Sequence, residues 1–473
     1  MSFSSETEAL FTALQHSAKP EVASAIRQHV QDAPDRDLCR INVLAFAAKH
    51  GFNEEDVIAA FLHAARLGIF ELAWNVLCPG CGGVLETGAS LKTVDRSQYA
   101  CALCAAGYTA TLDEMVEVTF TVSPRVRGIA AHDPHSLSIP EYFRQVFWSS
   151  GVDLPDDAKF HKLLESIVLD AFELPAGEKA ILSLQLPAAF VILFDPVVHM
   201  SQFIDVRGEP TRERQSLSFV LTKNSAPVGA LEMRPGPLRI SLDNRTNVRT
   251  LPSIWIAGEE LHHLLGNRRP FLTAKRLLTN QIFRDIYRTD TLDIDQRLKI
   301  TSLTFLFTDL KGSTELYDRV GDLVAFDLVQ KHFSILNEIV AAEAGAVVKT
   351  IGDAVMATFS TPERAVAAAI RVREAMVGLG EERHHPDLLL KMGIHEGPCL
   401  AVTRNDRQDC FGQTVNIASR VQGLAASRSI VATGQVVENP QASALLETNG
   451  LKPTLRRMAL RGITDEMSVY EIP

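Results

Sequence analysis

Long apolar runs are missing from this sequence. None approaches the about 18 positions that a membrane-spanning helix needs, and the most apolar short stretch, residues 188–194, has the length of a strand. The opening residues lack the basic, apolar-cored pattern of a secretory signal. These two absences lead us to expect a cytoplasmic protein with no membrane partner. Positive charge is in short supply too: 47 Lys and Arg against 57 Asp and Glu leave a net −10, which argues against broad attraction to nucleic acids or anionic membranes. Cysteine is scarce, yet four of the seven residues fall in two close pairs. What remains is an ordinary globular composition, 46% apolar over 473 residues, enough for about three domains.

Three blocks between residues 303 and 420 carry most of the chemistry. The first reads LTFLFTDLKGST: a strand-length apolar run, 303–308, ends at Asp309 and enters a Gly312-Ser313-Thr314 turn that opens a helix. Unpaired backbone N–H groups at such a turn favour phosphate oxygens, and a carboxylate at the strand end can hold a divalent cation beside them. For this strand alone, a turn-capping aspartate is an equally good reading. The second block, VVKTIGDAVMATF, places two apolar runs around Gly352-Asp353, which is a hairpin signal. Asp353 is therefore expected at a turn beside the Asp309 strand. Two converging carboxylates suit a pair of Mg2+ ions whose shells are completed by substrate phosphates, and Lys349 can face the same cleft. The third block, DCFGQTVNIASR, ends in a helix with Asn416 and Arg420 at i and i+4 on one face. An amide and a guanidinium so spaced suit a phosphoryl group gaining charge, whereas a lone pair of this kind would be an exposed polar face. Together the blocks describe a nucleotide-processing site.

In these blocks the chain resembles the catalytic domain of the class III nucleotidyl cyclases, the adenylate and guanylate cyclases, over roughly residues 301–473. The resemblance implies an α+β domain of ferredoxin-like βαββαβ order. It puts the metal-binding carboxylates at Asp309 and Asp353, for two Mg2+ (or Mn2+) ions per site. The family's base-selecting pair falls on Lys349 and Asp409, and its transition-state pair on Asn416 and Arg420. In that family Lys with Asp or Thr goes with adenine, and Glu with a small residue such as Cys goes with guanine. Hydrogen-bond polarity gives the reason: Lys349 only donates and ionised Asp409 only accepts, which matches the N1 acceptor and N6 donor of adenine and mismatches guanine. The implied reaction is attack of the ribose 3′-oxygen of ATP on the α-phosphorus, giving 3′,5′-cyclic AMP and pyrophosphate. Guanylate cyclase activity, or an inactive nucleotide-binding regulator, is the alternative. Residues 459–463 resemble the family's Lys-Gly segment, so Arg461, standing where the family has Lys, is the candidate triphosphate contact. Family sites form between two catalytic domains. A homodimer is implied, with Asp309 and Asp353 from one chain and Lys349, Asp409, Asn416 and Arg420 from the other.

Ahead of that domain, residues 6–29 and 42–67 read as helices, the second breaking at His50-Gly51 and restarting behind an Asn53 cap with Phe52 placed to staple Val57. Residues 69–77 look extended, so 1–77 is a winged-helix-like unit in pattern. Its charge argues against DNA: residues 1–120 hold eight basic and fifteen acidic side chains. Cys78, Cys81, Cys101 and Cys104 then follow the spacing C-x2-C-x19-C-x2-C, that of a structural four-cysteine zinc ribbon over 78–114. A pair of disulfides is the rival, disfavoured in a reducing cytoplasm. Cys39, Cys399 and Cys410 are scattered and receive no role.

Residues 115–265 contain short strand-like runs at 116–122, 180–186, 190–194, 216–222, 228–233 and 238–242, separated by Pro and Gly turns, which points to a β-sandwich interrupted by a helix over 158–172. His132, His135, His161 and His199 have no paired ligand spacing. This arrangement resembles regions found ahead of some bacterial cyclases, and the resemblance implies a regulatory domain whose ligand or partner the residues do not name. A linker, 266–300, holds an amphipathic helix at 270–288 with Leu278, Ile282 and Ile286 on one face, either a transmitter or a spacer.

Overall fold

Capping residues and one proline decide the first elements. A computed structural model describes residues 3–94, 98–222, 229–287, 292, 297–311, 318, 320–382, 389–404, 407–426, 429–458 and 466–473. The single helix expected over 6–29 is two, Ser5–Ser17 and Pro20–Asp32, because Pro20 has no N–H to continue a helix and suits the first turn of a new one. Asn42 and Asn53 cap Val43–His50 and Glu54–Leu67, and Gly51 and Gly68 end them in the left-handed region. The strand Phe70–Leu77 forms where 69–77 was expected to be extended. It is the middle of a three-stranded sheet, antiparallel to Val84–Gly88 on one side and to Val116–Val122 on the other.

That pairing also corrects the reading of 115–265, since its first strand belongs to a different sheet from the rest. The remaining strands form a three-stranded sheet (Gln215–Leu221, Gly236–Asn244, Lys179–Leu186) and a five-stranded one (Leu231–Met233, Met200–Val206, Phe190–Asp195, Ser253–Ile256, Val168–Ala171). Leu186, Leu217 and Ile240 of the first share an apolar cluster with Val191, Ile204 and Ile254 of the second. The helix expected over 158–172 stops at Ile167, and the following residues pair with Ser253–Ile256 as the edge strand Val168–Ala171.

The chain divides into two compact units, Met1–Ala110 with Glu114–Leu272, and Thr111–Asp113 with Thr273–Pro473. The segments 1–77, 78–114 and 115–265 thus fall in one unit, apart from Thr111–Asp113. Those three residues join the second unit, where Leu112 donates its N–H to the Lys299 carbonyl at 3.0 Å and Asp113 accepts from the Thr301 N–H at 2.6 Å. The single linker helix is likewise two short ones, Ala274–Leu278 and Gln281–Ile286. They part at Thr279, and the Asn280 side chain caps the second by accepting from the Phe283 N–H at 3.0 Å.

In the second unit the strands are β1 (Leu298–Lys311), β2 (Gly345–Ile351), β3 (Ala354–Phe359), β4 (Leu389–Arg404), β5 (Arg407–Phe411), β6 (Ile430–Thr433), β7 (Thr454–Met458) and β8 (Met467–Ile472). The helices that matter here are α1 (Asp322–Ala342), α2 (Pro362–Glu382), α3 (Gln413–Gly423) and α4 (Pro440–Thr448). The sheet runs β2-β3-β1-β4-β6-β8-β7, with β5 folded back on β4. The sequence from β1 to β4 is βαββαβ, and the strand order 2-3-1-4 is the ferredoxin-like one. Leu336 and Val340 of α1, Val366 and Ala369 of α2 and Leu446 of α4 pack with Leu306, Val355 and Ile394 of the sheet. The site-bearing ends of the strands are held by this core.

Candidate active site

The register of β1 on β3 brings the two acids together. Thr308 pairs with Val355, so Asp309 at the next position lies beside the Gly352-Asp353 turn, where Gly352 takes the left-handed conformation (φ +65°) that this hairpin demands. Burial and the Asp353 charge push the Asp309 carboxyl above its ordinary value, while Lys391, its cross-strand neighbour on β4, and a hydrogen bond from Gln422 pull it down. Asp353 keeps a buried Oδ2 with no hydrogen-bond partner. A bound divalent cation would relieve both the like-charge repulsion and the unpaired oxygen, so this donor set fits a hard metal ion. His332 of α1 is buried close to Asp353, and burial lowers its pKa to about 4, leaving a neutral imidazole beside that acid.

The second group forms on β2 and β5. Lys349 Nζ lies 2.6 Å from Asp409 Oδ2, and the Cys410 N–H holds the other carboxylate oxygen at 2.8 Å. The ladder between β2 and β3 slips between Val347 and Lys349, a bulge at Val348 that turns Lys349 out of the regular alternation. Asn416 and Arg420 lie on α3, the first exposed and the second half-buried. Thr414, Ala418 and Val421 form the buried face of that helix.

Gln422 separates the two groups. At about 100° per residue it stands about 120° around α3 from Asn416 and about 160° from Arg420. Gln422 is the residue that reaches Asp309, and its backbone presses on β4, where a Cβ added to Gly393 would lie 2.2 Å from Gln422 N. Asn416 and Arg420 therefore turn away from the acids of their own chain. The structure brings Asp309 to Asp353 and Lys349 to Asp409, but it does not bring the Asn416–Arg420 face to the acids. Gly312, Ser313, Thr314 and Arg461 lie outside the described residues. Lys391, Gln422 and His332 went unnoticed in the sequence. A cross-strand lysine could be found there only by knowing the register, and the histidine only by knowing the helix phase.

In the other unit Cys78, Cys81, Cys101 and Cys104 converge, with all four sulfurs within 4.8 Å of one another. Cys78 and Cys104 are 3.8 Å apart, and Cys81 and Cys101 are 3.6 Å apart. Four sulfurs on a tetrahedron of about 2.3 Å radius would be separated by about 3.8 Å, so the cluster can hold a metal ion. The N–H groups of Cys81 and Gly83 point at Cys78 and Cys81 Sγ, and the Arg268 guanidinium donates to the Gly80 carbonyl at 2.9 Å.

With two acids at a strand end and a Lys–Asp pair on a ferredoxin-like sheet, the second unit is the catalytic domain of a class III nucleotide cyclase. Residues 296–472 match the family described as Adenylate and Guanylate cyclase catalytic domain. Residues 4–285, more than half of the sequence, match the Family of unknown function (DUF5939), and the chain belongs to that family.

An adenylate cyclase of Anabaena cylindrica is 26% identical over 185 residues, covering 36% of this chain and 36% of the relative. An uncharacterized protein of Mycobacterium tuberculosis is 33% identical over 135 residues, 28% of this chain and 32% of the relative. Mouse retinal guanylyl cyclase 1 is 31% identical over 132 residues, 25% of this chain and 12% of the relative. The chain thus spans about a third or less of the length of these curated relatives. Among solved structures, the adenylyl cyclase CyaB from P. aeruginosa aligns with a TM-score of 0.33 and 22% identity, over 38% of this chain and 96% of that one. Among the described residues, no helix is long and apolar enough to cross a membrane.

Proposed function

We propose that the chain is an adenylate cyclase that converts ATP to 3′,5′-cyclic AMP and pyrophosphate in the cytoplasm, at sites shared between two copies of the chain. The observation that carries the substrate choice is the Lys349–Asp409 pair at 2.6 Å. One partner only donates and the other only accepts, so opening the pair around a purine edge satisfies the N1 and N6 positions of adenine. Guanine, with O6 and a protonated N1, would face the wrong groups and leave buried polar atoms unpaired.

Sharing of the site is supported by the phase of α3. Asn416 and Arg420 turn away from Asp309 of their own chain and are available to a second copy, where the guanidinium and amide would stabilise charge on the α-phosphoryl group. Asp309 and Asp353 would hold two divalent cations. When bound, such ions supply Lewis-acid stabilisation of the phosphates and a lowered pKa for the attacking 3′-hydroxyl. Arg461 and the Gly312-Ser313-Thr314 turn are assigned to the triphosphate. The four cysteines are assigned to a structural zinc, since four thiolates leave no open coordination position.

The deciding experiment gives ATP and GTP separately to the purified chain with Mg2+ or Mn2+ and quantifies each cyclic nucleotide. Wild type is expected to prefer ATP, and the double substitution Lys349→Glu with Asp409→Cys to reverse the preference. Preferential cyclic GMP formation by the wild type would overturn the adenylate assignment, and no cyclic nucleotide from either substrate would overturn the enzyme itself.

A further inference from the structure

We infer that Arg284 is a positioning residue for nucleotide selection, tying the backbones that carry Lys349 and Asp409 to one another; this rests on the role proposed above for that pair. Arg284 lies on Gln281–Ile286, the second short helix ahead of the sheet. Its Nη2 donates to the Gln408 carbonyl at 2.8 Å and also reaches the Val348 carbonyl at 3.4 Å. These two carbonyls belong to the residues immediately before Asp409 and Lys349. The same helix supplies Gln281, whose Oε1 accepts the Val347 N–H at 2.8 Å.

The sheet itself does not make this connection. β2 is an edge strand bonded to β3, and β5 is bonded to β4, so no ladder joins the two strands. Val348 is also the bulged position at which the β2–β3 register slips, so the ladder holds it poorly just where Lys349 must be aimed. Once a purine edge opens the 2.6 Å Lys349–Asp409 ion pair, the separation of the two side chains would, without an outside tie, follow the drift of an edge strand against a hairpin. A single guanidinium closes that gap. It is the side chain suited to the task, because it is planar, permanently charged and carries five donors in a fixed fork.

Among the described residues Arg284 forms no ion pair, and its charge is directed at backbone carbonyls. Burial lowers its pKa, with the charge of nearby Asp409 opposing. Gln281, Arg284, Lys349 and Gln408 line a cavity of about 240 Å³, so removing the guanidinium enlarges a space wide enough for water rather than leaving a void in the core. The sequence offered no sign of this, since Arg284 reads there as one more charge on an amphipathic helix.

The test compares wild type, Arg284→Ala and Arg284→Lys in the full chain, measuring kcat and KM for ATP and for GTP. The expected result for Arg284→Ala is an ATP-over-GTP ratio of kcat/KM reduced about tenfold or more, carried mainly by a rise in KM for ATP. Arg284→Lys, with a single point donor, is expected to recover part of that ratio. A merely structural role would lower both nucleotides by the same factor, and an unchanged ratio in a folded Arg284→Ala protein overturns the inference. Should circular dichroism and gel filtration find Arg284→Ala unfolded, Arg284→Lys decides: about a threefold loss of the ratio supports the role and no loss refutes it. Were the wild type to turn over neither nucleotide, the proposed function would fall by itself. The ratio of ATP to GTP binding affinities by calorimetry would then decide the positioning role on the same criterion.

Discussion

Complementation between two dead variants tests the shared site most directly. Asp309→Ala removes one of the two acids proposed to hold the cations, and Asn416→Ala removes an amide on the opposite-facing surface of α3. If each site draws its acids from one chain and its α3 face from the other, both homodimers lack a complete site. In a heterodimer the two losses fall in the same site, and the second site keeps wild-type Asp309, Asp353, Asn416 and Arg420. Equal mixing makes about half of the dimers mixed, each with one working site of two, so the mixture should recover about a quarter of wild-type activity. Differently tagged chains purified through both tags should recover about half. The assay is cyclic AMP formation at saturating ATP and metal, with dimerisation checked by light scattering. Doubly tagged heterodimers that form and remain inactive would refute the sharing.

Three further outcomes follow from the packing. Gly393→Ala drives a Cβ to 2.2 Å from the Gln422 backbone, so α3 must lift from β4; a stability loss of about 1–3 kcal/mol and a larger loss of turnover are expected in denaturation and rate assays. Metal analysis should find one zinc per chain, and Cys101→Ser should lower the melting temperature of the first unit. A wild-type chain that keeps its melting curve after exhaustive chelation would contradict the structural zinc. His395 on β4 is buried against Thr433 Oγ1 at 2.9 Å with a pKa lowered to about 4. Below its unfolded value of about 6.5 the unfolded chain takes up a proton that the folded chain refuses, so stability falls as pH drops, by about 2–3 kcal/mol from this residue between about pH 7 and about pH 4.5. Urea titrations of His395→Gln should show a shallower pH slope than wild type, and equal slopes would count against this assignment.

Local chemistry was legible where one residue type dictates one geometry. Asn53 announces a helix start, Gly51 announces a break, and Gly352-Asp353 between apolar runs announces the hairpin that the structure forms. The cyclase resemblance was legible for a related reason: it is carried by residue types within three short blocks, each of which resembles a family motif without the fold being known. Where the reading slipped, a local pattern was outweighed by its neighbours. The 6–29 run reads as one helix although Pro20 starts a new one, and 158–172 carries a helical period into a segment that forms an edge of the five-stranded sheet instead.

By itself the sequence determined which groups are chemically competent: two acids, a donor–acceptor pair, an amide with a guanidinium, and four thiols at metal spacing. Tertiary structure decided which of them meet. Strand register put Lys391 opposite Asp309, and helix phase placed Gln422 against the acids while turning Asn416 and Arg420 outward. Two carbonyls 60 residues apart, those of Val348 and Gln408, came within reach of one arginine. The physical reason is that spacing along a chain sets which face a side chain occupies, whereas the neighbour across that face depends on burial and pairing summed over the whole domain.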